Sequence, residues 1–308
     1  MMGSYWSTTP AKPVTLAKMA PEMEEFLERP IIVVGAPRSG TTLMGDLLSA
    51  HPTLAHVEEP RLTWRYGNDA KSDMLRPADA RPDVCRFIRG RFAATVRQSG
   101  KQRLIEKTPS NSLRMEFVEQ VLPGCLFVHI IRDGVESSLA IRRFWQQHAR
   151  GVKPRKLLER LREMNPWQLP YYGREFARRI MPRPLSGLVR PPVWGPRIPG
   201  IESLLKELEL IEVCALQWRT CVEAACAYGR TLPPDRYLEC RLEEMSPELL
   251  KSILEFCQLE PSSEVDATFA RDFDMGKTRH RRDIASAEDL ELIHKWTLTT
   301  LQWLGYAS

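Results

Sequence analysis

Residues 31–44 read IIVVGAPRSGTTLM. The apolar run Ile31–Val34 is too short and too β-branched for a helix and predicts a buried strand. Gly35 and Gly40, five positions apart, then carry the chain to Thr41 and Thr42. Beyond them Leu43, Met44, Leu47 and Leu48 recur at helical spacing, predicting a helix from about Thr41 to Ala50. A strand that turns through glycines into a helix start aims several backbone N–H groups at one point. The helix dipole favours negative charge at that same point, so the stretch reads as an anion-binding loop.

The loop nearly matches the nucleoside-triphosphate pattern G-x-x-x-x-G-K-[ST], in which the lysine reaches the transferred phosphate. Here the lysine slot holds Thr41, and Arg38 lies inside the loop instead. A plain NTPase would lack its main charge on the transferred group. An irregular kinase would need Arg38 in place of that lysine and Asp133 as the Mg²⁺ ligand. A non-catalytic nucleotide-binding protein is a third class of reading.

Outward from the loop, strands and helices alternate. A short strand is expected at Thr53–Val57, helix over about 82–99, a strand at Arg103–Ile105 and a helix over 111–122. The run CLFVHII (125–131) is a second buried strand. Asp133, with Glu136 three residues on, has the capping-box pattern of a further helix start. One long helix over 202–228, a strand at 236–240 and helices at about 247–257 and 286–304 complete the chain. The alternation predicts an α/β fold, a P-loop-like central parallel β-sheet with helices on both faces, forming a single domain over 1–308. Residues 1–29 form an N-terminal extension. Between Pro166 and Pro199 stand eight prolines and six arginines against one acid, Glu175, with Trp167, Tyr171, Tyr172 and Trp194 interleaved. Proline this dense excludes long regular elements. Residues 150–200 therefore read as an insertion over the sheet, a substrate cap, or as a solvent-facing linker.

Charge and composition narrow the classes. With 44 Lys+Arg against 39 Asp+Glu the chain carries +5, too little to imply nucleic acid but suited to an anionic ligand where arginines cluster. The first thirty residues hold no apolar signal core, and the longest apolar run is far short of the ~20 residues of a membrane span. The seven cysteines lack C-x-x-C spacing; Cys214, Cys221 and Cys226 read as small core residues of a cytoplasmic protein with free thiols and no structural zinc.

APRSGTTLM (36–44) resembles the 5′-phosphosulfate loop of sulfotransferases that use 3′-phosphoadenosine 5′-phosphosulfate (PAPS). VHIIRDGVESSLA (128–140) resembles the strand–loop–helix with which that family grips the 3′-phosphate. Arg38 and Arg132, 94 positions apart, lie in the family's order. The resemblance is nearest to the branch of many bacterial sulfotransferases and the Golgi tyrosylprotein sulfotransferases. It covers about 31–145 and resumes over 210–260.

It implies sulfuryl transfer from PAPS to a hydroxyl or amine, release of adenosine 3′,5′-bisphosphate and no required metal. By the same resemblance Arg38, Ser39, Gly40, Thr41, Thr42 and Leu43 hold the 5′-phosphosulfate, and Lys107 in EKTPS stabilises the moving sulfuryl group. Pro109 stands where cytosolic relatives place a catalytic histidine, so the base comes from HPTLAHVEEPRL (51–62). The register favours Glu59, held ionised by Arg61 or Lys107, with Glu58 or His56 as alternatives. Arg132 binds the 3′-phosphate. The family's usual serine eight residues later is Ala140 here, leaving Ser137 or Ser138 to donate, with Lys277, Arg279, Arg281 or Arg282 of the basic tail. Leu242 replaces a common tyrosine near adenine, and Trp218 is either the family tryptophan or plain core. Arg61, Trp145 and the aromatic residues up to Trp194 are expected on the acceptor side. The acceptor is a small molecule, glycan, lipid or peptide tyrosine; the sequence does not choose, and oligomeric state is not legible.

Overall fold

The computed structural model describes residues 25–148, 168, 193–274, 276 and 285–306. Strand β1 (Ile31–Val34) leads through the glycine loop into helix α1 (Thr41–Ser49). Next come β2 (Leu54–Glu58), the short α2 (Arg61–Arg65), α3 (Pro82–Ser99) and β3 (Arg103–Lys107). A 3₁₀ turn, Pro109–Leu113, precedes α4 (Met115–Val121), then β4 (Leu126–Ile131) and α5 (Gly134–His148). After the proline-rich region come α6 (Ile201–Glu207), α7 (Leu210–Gly229), β5 (Tyr237–Arg241), α8 (Pro247–Phe256), α9 (Ser263–Asp272) and α10 (Ala287–Trp303). None of the helices among the described residues is long and apolar enough to cross a membrane.

The five strands form one sheet in the order β2-β3-β1-β4-β5, and every pairing is parallel. Alternate residues of the strands face opposite ways. Ile31, Val33, Ile105, Val128 and Ile130 pack under α1, α8 and α9. Ile32, Val34, Leu104 and Phe127 pack on the other face beneath α3 and α4. A further core joins α5, α7 and α10 around the fully buried Trp218. The predicted α/β class with both faces covered is the observed one.

Three local expectations are corrected. The single helix predicted over 202–228 is two, because Leu208 and Glu209 adopt extended backbone and Glu209 caps α7 reciprocally with Glu212. The predicted helix over 111–122 is a 3₁₀ turn and a shorter α-helix, parted at Arg114 with φ −145°. Arg114 Nε donates to Asn111 Oδ1 at 2.8 Å, and its guanidinium is drawn into the core toward Asp73. Third, β3 runs two residues past the strand read from the sequence, carrying Glu106 and Lys107 into the sheet. The short α2 and the helix α9 were not anticipated. All seven cysteines are free and buried.

The loop after β1 is built on close contact. A Cβ on Gly35 would lie 2.4 Å from the Ile130 carbonyl oxygen of the neighbouring strand. Gly40 has φ +95°, and a Cβ there would meet Leu242 at 2.8 Å. Gly35→Ala is expected to force β1 and β4 apart at this point. The cost should be about 1–3 kcal/mol, read as a fall of several degrees in Tm; an unchanged Tm would show that the Ile130 carbonyl retreats freely.

Candidate active site

Because the sheet is parallel, each strand delivers its C-terminus to the same edge, and ligands of such sheets bind where neighbouring connections diverge. Here β1 lies between β3 and β4, so its loop opens at that divergence. The edge gathers the Gly35–Gly40 loop from β1, Glu58 and Glu59 from β2, Lys107 from β3 and Arg132 from β4. The register sets Lys107 beside Val33 on one side and Glu58 on the other.

Lys107 is fully buried. Its Nζ donates to Thr42 Oγ1 at 3.1 Å, Glu59 Oε1 at 3.1 Å and Glu58 Oε1 at 3.2 Å. Glu59 Oε2 in turn accepts from Arg61 at 2.5 Å. Burial alone would raise the Glu59 carboxyl, but Arg61 and Lys107, by charge and by hydrogen bond, hold it down at about 2. The ammonium thus ties the loop helix to a carboxylate that stays ionised. Glu59 adopts φ +46° and Arg38 φ +66°, conformations that cost a non-glycine residue about 1–3 kcal/mol. Backbone bonds impose the first: Glu59 N–H donates to the Lys107 carbonyl at 2.9 Å, and the Glu59 carbonyl accepts from Arg61 N–H at 2.7 Å.

Arg38 is exposed on the loop, its guanidinium 5.2 Å over the Phe144 ring. Ser39 is fully buried and its hydroxyl finds no partner among the described residues. Thr41 is buried, Thr42 exposed, and Leu43 half-buried against the α1–α8 core. Arg132 leaves β4 with its guanidinium on Glu136 at 3.0 Å and on the Arg38 carbonyl at 3.3 Å. Ser137 and Ser138 are separated by their bonds. Ser138 Oγ donates to the Gly134 carbonyl at 2.6 Å, whereas the equally buried Ser137 hydroxyl has no partner among the described residues. Buried hydroxyls without partners cost free energy, and those of Ser39 and Ser137 fit a polar ligand held at this edge.

The predicted cap at Asp133 is half formed. Asp133 Oδ1 accepts the N–H of Glu136, but the Asp133 N–H is taken by Glu243 at 2.9 Å. Glu243 also accepts from the Tyr306 hydroxyl at 3.0 Å. Trp218 Nε1 donates to the Arg132 carbonyl at 3.0 Å, and its ring closes on Gly134, where a Cβ would lie 2.8 Å away. Trp218 is therefore core and a strut for the Arg132 turn. Glu243, Tyr306 and the Leu242 contact with Gly40 were missed, because no short motif relates residues so far apart in sequence.

Trp145 is buried, 6.3 Å from Trp194, while its neighbour Phe144 lies between Arg38 and Trp194. Lys277, Arg279, Arg281 and Arg282, with Trp167, Tyr171 and Tyr172, lie outside the described residues. Ala140 is buried on α5. Among the described residues His129, Cys226 and Glu239 come within 4.8 Å of one another, as metal ligands would. The Tyr237 hydroxyl bridges His129 and Glu239 at 2.7 and 2.9 Å, and Arg230 takes both oxygens of Glu239. Burial pushes the Cys226 thiol up to about 12, and the thiol donates to Glu239 Oε2 at 3.5 Å, so these groups are bonded to one another, with His129 Nε2 left over.

With this edge described, likeness to known proteins becomes specific. The model of the sulfotransferase family matches residues 30–184, from the start of β1 through β4 and α5 into the proline-rich region. The chain belongs to the sulfotransferase family. Nodulation protein NoeE of Sinorhizobium fredii is 25% identical over 130 residues, 37% of this chain and 31% of NoeE. A protein-tyrosine sulfotransferase of Drosophila melanogaster is 29% identical over 119 residues, 35% of this chain and 24% of that protein. The matched stretch thus spans under a third of either relative. The sulfotransferase STF9 from Mycobacterium avium shares the fold, with a TM-score of 0.50 at 15% identity over 91% of this chain and 78% of that one.

The bonding makes two expectations. Ser138→Ala loses a buried hydrogen bond and should cost about 0.5–1.5 kcal/mol, whereas Ser137→Ala removes an unpartnered hydroxyl and should leave Tm unchanged or raised. Glu59 is depressed on folding, so its pairing contributes stability that is complete above the ordinary carboxylate range and is lost as pH falls toward about 2. Glu59→Gln should flatten the acid side of the Tm–pH profile; a profile identical to wild type would refute the assigned ion pairs.

Proposed function

We propose that the chain transfers the sulfuryl group of PAPS to an acceptor hydroxyl, or less favourably an amine, by in-line displacement that releases adenosine 3′,5′-bisphosphate. The observation that carries this reading is Lys107, a fully buried ammonium set between a loop hydroxyl, Thr42, and an ionised carboxylate, Glu59. Sulfuryl transfer needs a cation where charge builds on oxygen, a base for the acceptor proton and a rigid grip on the donor.

Lys107 and Arg38 supply the cations, and Glu59 accepts the proton. Held at about 2, Glu59 is a weak base. If Lys107 turns toward the sulfuryl oxygens, Glu59 loses one of its two cations and gains proton affinity as the acceptor gives up its proton. Arg61 keeps the carboxylate oriented meanwhile. The backbone and hydroxyl groups from Ser39 to Leu43 suit the 5′-phosphosulfate. Arg132 and Ser137 suit the 3′-phosphate, with Lys277 and Arg279 as further donors. No step of this scheme calls for a metal.

On the acceptor side we place Glu59, Arg61 and the aromatic group that includes Trp145, and we assign residues 150–200 the role of substrate cap. The acceptor class is a small molecule, glycan or lipid; a protein tyrosine, as in the name of the Drosophila relative, belongs to the same chemistry. We place the reaction in the cytoplasm, where the donor is available.

Calorimetry with adenosine 3′,5′-bisphosphate, and separately with ATP and Mg²⁺, tests the donor. Metal-independent binding of the bisphosphate, weakened about tenfold by Ser137→Ala, is expected. Mg²⁺-dependent ATP binding with no response to the bisphosphate would favour the kinase reading instead. Glu59→Ala should abolish turnover and retain bisphosphate affinity; turnover at the wild-type rate would remove Glu59 as the base.

A further inference from the structure

Directly before Lys107 stands Glu106, a carboxylate with no solvent exposure, whose side chain points to the opposite face of the sheet. Three donors converge on it. Trp64 Nε1 and the Thr108 hydroxyl donate to Oε1, the former at 2.9 Å, and Asn111 Nδ2 donates to Oε2 at 2.8 Å. The indole N–H can only donate. The Asn111 amide is equally fixed, because its oxygen already accepts from Arg114. Burial pushes the carboxyl up to about 7, although Thr108, Trp64, Arg114 and Lys107 all pull it down.

These partners belong to two segments that carry different parts of the proposed chemistry. Thr108 and Asn111 form the turn that follows Lys107. Trp64 lies in α2, which begins two residues after Glu59 and is wedged edge-on between Phe92 and Phe117. The network continues to the far side of α2. The Arg114 guanidinium lies 5.8 Å over the Trp64 ring and 3.8 Å from the buried Asp73, which also pairs with Arg65 and Arg197. Three guanidiniums thus face two carboxylates, and protonating Glu106 would leave one.

We propose that Glu106 is a positioning residue for sulfuryl transfer, whose ionised carboxylate fastens the turn after Lys107 to the helix after Glu59 and so fixes the spacing between lysine and base. This role rests on the proposed function. The ionised form satisfies all three donors. A neutral glutamine cannot: whichever way its amide is set, its NH₂ faces the indole N–H or the Asn111 NH₂.

The test uses the full chain and follows PAPS cleavage, with water or an added simple phenol as acceptor, as bisphosphate release across pH. Wild type should lose kcat as pH falls through about 7. Glu106→Gln should lower kcat about tenfold or more, abolish that acid limb, and keep bisphosphate affinity within about twofold, because the donor loop and Arg132 are untouched. Trp64→Phe keeps the ring packing but removes one donor to the ionised form, so it should move the acid limb to higher pH. Wild-type kcat and pH profile in Glu106→Gln would overturn the role, as would joint loss of bisphosphate binding and turnover in the folded variant. If Glu106→Gln does not fold, an unmoved limb in Trp64→Phe overturns it. Failure of wild type to bind the bisphosphate would instead overturn the donor reading, and this role with it.

Discussion

In a parallel sheet every strand points the same way, and that one constraint places the chemistry of this molecule. The glycine loop, the glutamates of β2, Lys107 and Arg132 sit on four strands scattered over about a hundred residues of sequence. They share an edge only because those strands run in register and in parallel. The apolar runs of the central strands β1 and β4 are buried on both faces, so the polar groups there are left to the strand ends. The site is a consequence of where burial stops.

At that edge electrostatics takes over from packing. A buried ammonium without partners would cost several kcal/mol, and Lys107 offsets the cost with one hydroxyl and two carboxylates. Glu59, one of those partners, stands in a strained backbone conformation that its backbone bonds to Lys107 and Arg61 hold. The same economy appears around Arg132, whose guanidinium bonds Glu136 and whose carbonyl is held by Trp218. Elsewhere the edge leaves a hydroxyl unsatisfied, at Ser39 and at Ser137. Bonded groups stiffen this edge, and the two buried hydroxyls are where a polar ligand would find donors.

Below the edge lies a second layer of charge that the first depends on. Glu106, Asn111, Arg114 and Asp73 form a buried chain of bonds from beneath Lys107 to the Arg197 segment, and Asp73 is held at about 2 by the arginines around it despite its burial. From the other end of the proline-rich region, Gln168 donates to the Leu62 carbonyl of α2 at 3.1 Å. Both ends of that region are therefore tied to the helix that follows Glu59.

Local sequence was enough for the strands, the loop and most helices, because hydrophobic period, glycine spacing and cap residues act over a few positions. Arg38 stood out as a candidate from its place in the glycine loop, whereas Lys107, Arg132 and the glutamate pair became candidates only through the resemblance of their segments to sulfotransferase motifs. Local sequence failed at Arg114 and at Leu208–Glu209, where the helical period continues but the backbone does not. At Arg114 a distant aspartate draws the side chain inward, and no window of neighbouring residues contains that aspartate. Only the tertiary structure could separate Ser137 from Ser138, show that Lys107 is buried against Glu59, turn Trp145 into the core with Phe144 beside Arg38, or reveal Glu106 beneath the site. Each of these depends on which atoms meet across strands, and hydrogen bonds and ion pairs between distant segments leave no periodic trace in the chain that makes them.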